Sequence, residues 1–222
     1  MKNDMQKKSE FTLEDILSRV TPTPTIDNGL NNEQKIQLLT ELFGEVLSVL
    51  GMDLSNDSLK DSPARIARMY VNEVFKGLNP ENFPKLTAID NEMAYDQMLV
   101  VRDISSISTC EHHFVTIHGK ATVAYIPKDK VIGLSKINRI VDFFSRRPQV
   151  QERLTKQIAD CLEYVLGTDD VAVHINARHY CVISRGVEDH SSTTITSDLR
   201  GAFKEDSRTR GEFLAHCSTK IP

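Results

Sequence analysis

The stretch Val171-Ala172-Val173-His174-Ile175-Asn176-Ala177-Arg178-His179-Tyr180-Cys181-Val182-Ile183-Ser184-Arg185 decides the fold. Side chains on a strand repeat every two residues. Extended backbone here therefore puts Val171, Val173, Ile175, Ala177, His179, Cys181, Ile183 and Arg185 on one face. That face begins apolar and ends in a histidine, a cysteine and an arginine. A core-facing row that turns chemically active at one end delivers ligands to a pocket at the edge of a sheet. The alternation predicts one strand along the whole of 171–185.

Upstream, Val115, Ile117, Ala121, Val123 and Tyr125 alternate with Thr116, His118, Lys120 and Thr122, the pattern of a second half-buried strand. Met98-Leu99-Val100-Val101 is a short strand candidate. Val131-Ile132-Gly133-Leu134 is a brief extended run after the turn-like Pro127-Lys128-Asp129-Lys130. Between them the period becomes helical. Ile137, Ile140, Val141 and Phe144 share one stripe; Val150, Leu154, Ile158, Cys161, Leu162 and Val165 share another that stops at Gly167. Strand, strand, helix, helix, strand, strand predicts an α+β domain: a four-stranded antiparallel sheet with two helices on one face.

The N-terminal third reads as helical. Leu13, Ile16, Leu17 and Val20 follow a Thr12 cap, and Thr21-Pro22-Thr23-Pro24-Thr25 is an extended connector. Ile36, Leu39, Leu42, Phe43, Val46, Leu47 and Leu50 then form a stripe closed by Gly51. Another helix opens at Asp61-Ser62-Pro63 and ends at Gly77. This divides the chain into a helical N-terminal region, 1–95, and the α+β domain, 96–222.

With 222 residues, 40% of them hydrophobic, the chain is long enough for a compact domain plus an extension. A formal charge of -4 argues against a general nucleic-acid binder, but not against an anionic small molecule, for which local cations matter. No apolar run approaches the ~20 residues of a membrane helix. The opening MKNDMQKKSEF lacks the hydrophobic stretch of a secretory signal. The expectation is a cytoplasmic protein with no nucleic acid and no membrane among its partners. Four cysteines in such a compartment are ligands or buried thiols before they are disulfides.

In Cys110-Glu111-His112-His113 a thiolate and an imidazole stand three apart, so one tight turn can aim both at a single ion. Cys181 is the natural third ligand. Two thiolates and one imidazole leave tetrahedral zinc one open position, the pattern of a catalytic rather than a structural site. Other readings stay open: His112 or His113 as polar surface, Cys181 as a buried thiol, or a Cys110–Cys181 disulfide. Cys161 fits the core and Cys217 falls outside the group. His112 and His179 suit proton transfer near neutral pH.

Three further clusters fit a pocket. Ser135, Lys136 and Arg139 open a helix, where free N–H groups and cations favour a phosphate. Gln151 and Glu152 open the longer helix, and a carboxylate there can accept paired donors from a purine edge. Arg185, which ends the strand face, is the third; each of the three can equally be a surface charge or a helix cap. Arg65 and Arg68, near the start of an earlier helix, are either a solvated basic edge or an anion contact.

STCEHHF at 108–114, GLSKINRIV at 133–141, RPQVQERL at 147–154, HYC at 179–181 and the Thr-rich 191–196 together resemble the GTP cyclohydrolase I family, in order and spacing, from about Asp61 onward. The resemblance implies opening of the guanine imidazole ring of GTP, loss of carbon 8 as formate, and rearrangement to 7,8-dihydroneopterin triphosphate. It implies Zn2+ on Cys110, His113 and Cys181, with His112 and His179 moving protons. Glu152 would anchor the guanine with Gln151 beside it. Ser135, Lys136, Arg139, Arg185 and Arg65 would hold ribose and triphosphate; Arg68 stands where the family often has Lys. It also implies a tunnelling fold, in which sheets of several subunits close into a barrel, and a homodecamer of two pentamers with shared sites. The alternatives are another tunnelling-fold enzyme of purines or pterins, or a non-catalytic oligomeric module whose zinc is structural.

Overall fold

The two alternating stretches become neighbouring antiparallel strands. The computed structural model describes residues 9–218; the first eight residues, most of the segment read as lacking a secretory signal, lie outside them. In chain order the elements are β1 (Ser9–Phe11), α1 (Leu13–Leu17), α2 (Asn32–Val49), α3 (Ser62–Met69), β2 (Leu86–Asp90), β3 (Leu99–Cys110), β4 (Thr116–Tyr125), β5 (Lys130–Ile132), α4 (Leu134–Ser145), β6 (Pro148–Gln149), α5 (Gln151–Leu166), β7 (Val171–His179), α6 (Tyr180–Ile183), β8 (Thr194–Leu199), α7 (Ala202–Glu205) and α8 (Ser207–Ser218). The main sheet has the order β6-β3-β4-β7-β8, and β1-β2-β5 form a small second sheet. Four strands of the main sheet, β3, β4, β7 and β8, run antiparallel, and the two-residue β6 joins β3 in parallel at Thr109 and Cys110; the brief run expected at 131–134 falls instead in the second sheet as β5, and β8 is a strand that the sequence reading did not place.

Helices α4 and α5 cover one face. Ile137, Ile140, Val141 and Phe144 from α4 meet Leu154, Ile158, Leu162 and Val165 from α5 over Ile104, Ile117, Ala121, Val123, Val173 and Ile175. Each buried Leu, Ile, Val or Phe side chain among them contributes about 1.5–3 kcal/mol of burial free energy. At one end of the opposite face, Phe203 and Phe213 from α7 and α8 pack edge-on with ring centroids 5.5 Å apart, against Ala124 and Ala172.

Three expectations need correction. The strand expected to reach Arg185 stops at His179, and Tyr180–Ile183 form a helical turn. Strand β4 offers no partner beyond Thr116, so the chain satisfies its hydrogen bonds locally, Ser184 N–H donating to Tyr180 O at 2.9 Å. Strand β3 continues nine residues past the short stretch expected, through a register shift between Val101 and Ile104 at which Asp103 takes φ 59°. The helical N-terminal region also supplies β1 and β2, and α3 ends at Met69 in a wide π turn, Tyr70–Val74, before Gly77.

Other readings hold locally. Thr12 and Asp15 form a capping box on α1, and Gly51 follows α2 with φ 78°. Helix α2 packs on α3 and on Tyr70, whose ring stacks on Phe43 at 5.7 Å, but none of its side chains is buried. Leu38, Leu42, Val46 and Val49 form an exposed apolar stripe along it.

The Thr-Pro connector is clamped to α5. Asp160 accepts from both the N–H and Oγ1 of Thr21 at 2.9 Å, from Arg200 Nη2 at 2.6 Å and from Lys156 at 3.1 Å. Burial alone would raise the Asp160 pKa, but the donors from Thr21, Arg200 and Lys156 outweigh it and hold the carboxyl below its usual value. A depressed carboxyl stabilises the fold above its ordinary pKa, and that contribution is lost as pH falls through the folded value. Asp160→Ala is expected to cost about 2 kcal/mol at pH 7 in urea unfolding. The difference from the parent protein should shrink below about pH 4.

Candidate active site

The inward row of β3 is Ile104, Ser106, Ser108 and Cys110, and it ends on a thiol. The ladder pairs Ser108 with Ile117 and Ile117 with His179, so Cys110 and His179 finish adjacent rows at one end of the sheet. The chain then turns tightly. Phe114 N–H donates to Cys110 O at 2.9 Å, Cys110 N–H to Val115 O at 2.8 Å, and Glu111 N–H to Gln149 O at 3.1 Å. Phe114 is held at φ 54°, a left-handed conformation uncommon for a bulky residue; its ring packs 5.4 Å from Phe75 and 6.3 Å from Tyr70.

This turn and the α6 turn bring Cys110, His113 and Cys181 together, with one donor atom of each within 4.8 Å of the others. Cys110 is buried, Cys181 partly buried and His113 exposed, so the group opens to solvent on the imidazole side. All four cysteines are free, which removes the disulfide reading. Burial pushes the Cys181 thiol up, and its hydrogen bond and charge contact with Cys110 push the same way. Two sulfurs and a nitrogen converging without a carboxylate suit a borderline-soft divalent ion, and a bound cation would favour the thiolates that this environment disfavours.

The other histidines flank the group. His112 Nδ1 lies 3.7 Å from Cys110 Sγ, and its Nε2 lies 4.0 Å from the Glu111 carboxylate. His179 Nε2 lies 2.7 Å from Gln151 Oε1. Burial lowers the His179 pKa, against the opposing pull of the Glu152 charge, so the ring is neutral at pH 7. Arg185 Nη1 donates to His113 Nε2 at 2.8 Å; a guanidinium can only donate, so that nitrogen presents a lone pair.

The proposed phosphate cations stand differently. Arg65 is exposed and pairs with Asp61 at 3.4 Å, and Arg68 is exposed on the same helix. Ser135 and Arg139 are exposed on α4, which has no side-chain cap at Gly133, and Lys136 Nζ donates to Lys85 O. Among the described residues, no hydrogen bond or ion pair links these five to the Cys-His-Cys group. Glu152 is exposed at the start of α5, next to Gln151.

Sequence reasoning missed a buried polar chain behind the turn. Arg153 pairs with Glu111 and donates through Nε to Gln149 Oε1 at 3.2 Å. Gln149 Nε2 donates to Gln157 Oε1 at 2.8 Å, and Gln157 Nε2 donates to Thr21 O at 2.8 Å and Thr23 Oγ1 at 3.0 Å. The signal was present: Arg153 and Gln157 stand four apart on one face of α5, and Gln149, four residues before Arg153, lies on β6 just ahead of the helix.

A family model described as GTP cyclohydrolase I matches residues 39–218. The chain belongs to the GTP cyclohydrolase I family. Its similarity to individual members extends over nearly the whole length. The GTP cyclohydrolase 1 of Yersinia enterocolitica is 56% identical over 212 residues, covering 96% of each chain. That of Pectobacterium carotovorum is 54% identical over 212 residues with the same coverage. That of Aliivibrio salmonicida is 56% identical over 200 residues, 90% of this chain and 92% of that one.

For this GTP cyclohydrolase I family member, Cys181→Ala removes one of three converging donors while leaving the sheet and helices intact. Elemental analysis should find the purified variant without stoichiometric metal, its far-UV circular dichroism unchanged. Full metal retention would take Cys181 out of the ligand set.

Proposed function

We propose that the chain is a zinc-dependent GTP cyclohydrolase I, converting GTP and water to formate and 7,8-dihydroneopterin triphosphate at the entry to tetrahydrofolate and pterin synthesis. One observation carries the mechanism: Cys110, His113 and Cys181 converge, and among the described residues no fourth His, Cys, Asp or Glu joins the group. Three protein ligands leave a position for a reactant, which disfavours the reading of a closed structural site. Zn2+ held there would supply Lewis acidity, lowering the pKa of a water at that position to about 7.

The protein's own groups do the rest. Glu152, exposed at the first turn of α5, accepts the paired donors of the guanine edge and fixes which purine enters. His179, neutral through burial, takes up and returns a proton at the substrate, and His112 does so from the other side of Cys110. Ser135, Lys136 and Arg139 offer the start of α4 to the phosphates, with Arg185, Arg65 and Arg68 adding positive charge. In this reading residues 96–222 form the catalytic domain and 1–95 its helical extension.

Assembly into a homodecamer of two pentamers, each closing its sheets into a tunnelling-fold barrel, fits two features. The outer edge of β8 and most of the outer edge of β3 have no strand beside them among the described residues, and α2 exposes an apolar stripe. Sites shared between subunits would let Arg65, Arg68, Ser135, Lys136 or Arg139 serve the Cys-His-Cys group of a neighbour. No described helix is long and apolar enough to cross a membrane, and the proposed location is the cytoplasm.

The decisive assay incubates the protein with GTP and follows formate and pterin fluorescence, with and without a chelator. Stoichiometric formate that disappears on metal removal and returns with Zn2+ is expected; metal-loaded protein releasing none would overturn the proposal. His112→Ala should retain its metal and lose about 100-fold or more in kcat. A normal rate of GTP consumption by that variant would remove His112 from the chemistry.

A further inference from the structure

Gln151, the first residue of α5, is 2% exposed, so its side-chain amide must find its partners in the protein. The amide nitrogen faces Ile175 O at 3.1 Å and Thr194 O at 3.0 Å. Backbone carbonyls only accept, so the end that meets them is the NH2 and the opposite end is the oxygen. A third acceptor, Thr196 Oγ1, lies 3.1 Å from the same nitrogen. Its role is also fixed. Thr155 Oγ1 gives its hydrogen to Gln151 O at 2.8 Å, so at the 2.6 Å Thr155–Thr196 contact Thr196 must donate, leaving its lone pairs for the amide.

The two amide hydrogens are thus shared among three acceptors on β7 and β8, and none is left for a purine edge. The amide oxygen lies 2.7 Å from His179 Nε2. It can only accept, so Nε2 carries the hydrogen, and the lone pair of the neutral ring is on Nδ1.

We propose that Gln151 is a positioning residue that locks His179 in the Nε2–H tautomer, so that any proton His179 takes up in the reaction arrives at Nδ1. The inference rests on the catalytic role of His179 proposed above. Its balance is simple. Nδ1 accepts a proton and the ring becomes imidazolium, Nε2–H stays bonded to the Gln151 oxygen, and return of the Nδ1 proton restores the starting state. The same acceptor serves both charge states, so no hydrogen bond has to break as the proton moves. Gln151 is in turn held by three groups of β7 and β8, which ties the tautomer to the pairing of those strands.

The test is solid-state 15N NMR of the full-length, zinc-loaded protein labelled at histidine, with His179→Asn to assign the signal, followed by Gln151→Met. The parent protein should show His179 with a protonated Nε2 and a bare Nδ1. In Gln151→Met that single tautomer should give way to a mixture, with kcat falling about 10–100-fold, part of the ~10²–10⁴ from acid–base catalysis, and KM for GTP moving less than about threefold. A protonated Nδ1 in the parent protein overturns the proposal without any variant. So does an unchanged tautomer in Gln151→Met, or a loss confined to KM. If the parent protein shows the expected tautomer but releases no formate from GTP, the functional reading fails while the Gln151–His179 assignment stands. If Gln151→Met does not fold, the parent spectrum still decides the tautomer, and Thr196→Val, which removes one acceptor from the amide, replaces it in the comparison.

Discussion

Everything in the site depends on the register of the ladder between β4 and β7. Where Gly119 faces Ala177, a Cβ on the glycine would stand 2.3 Å from Asn176 O and 2.5 Å from the Ala177 Cβ, so the two strands meet at a distance only glycine permits. Side chains alternate across a sheet, and a slip of one residue would turn His179 to the opposite face and Ile175 out of the core. The same register sets Ile117 between Ser108 and His179, which is what brings a thiol of β3 and an imidazole of β7 to one end. The Cys110–Phe114 turn and the α6 turn only complete what the ladder has aligned.

The sheet was legible where the chain alternates without interruption. Residues 115–125 and 171–179 could be read directly, because large apolar side chains fall on one face and polar ones on the other. Strand β3 could not. Its register shift at Arg102 and Asp103 resets the period, and its buried face carries Ser106 and Ser108, small hydroxyls that look like surface. Ser106 finds its partner on α4, where Ser145 lies 3.1 Å away, a contact between residues far apart in the chain. Strands β1 and β2 were hidden because they are short and exist only through pairing with each other and β5. Cys181 was expected on the wrong backbone: periodicity continues past His179, but the neighbouring strand does not.

The charges follow the same division between local and global. A net charge of -4 says little about the pocket, because several carboxylates are spent internally. Asp160, Glu163 and Asp198 all converge on Arg200, which burial would disfavour but which they keep charged. Arg147 is the contrasting case. It is buried against Phe143 and Phe144 with ring distances of 4.5 and 5.0 Å, and desolvation lowers its pKa to about 10. Among the described residues its guanidinium bonds a threonine hydroxyl, Thr23 Oγ1 at 3.1 Å from Nη1, and no carboxylate, so its place is set by packing rather than by a counter-charge.

The buried chain from Glu111 through Arg153, Gln149 and Gln157 to Thr21 and Thr23 has one direction. Arginine can only donate at one end, a backbone carbonyl can only accept at the other, and each glutamine between them is therefore fixed in orientation. Exchanging a donor for an acceptor at the buried Gln149–Gln157 link leaves two like groups facing each other without water to separate them. The members can therefore change only in compensating pairs. Substitutions along this line should be strongly non-additive, and the short, irregular Thr-Pro connector is bound to the history of the Cys110–Phe114 turn that lies some ninety residues further along the chain.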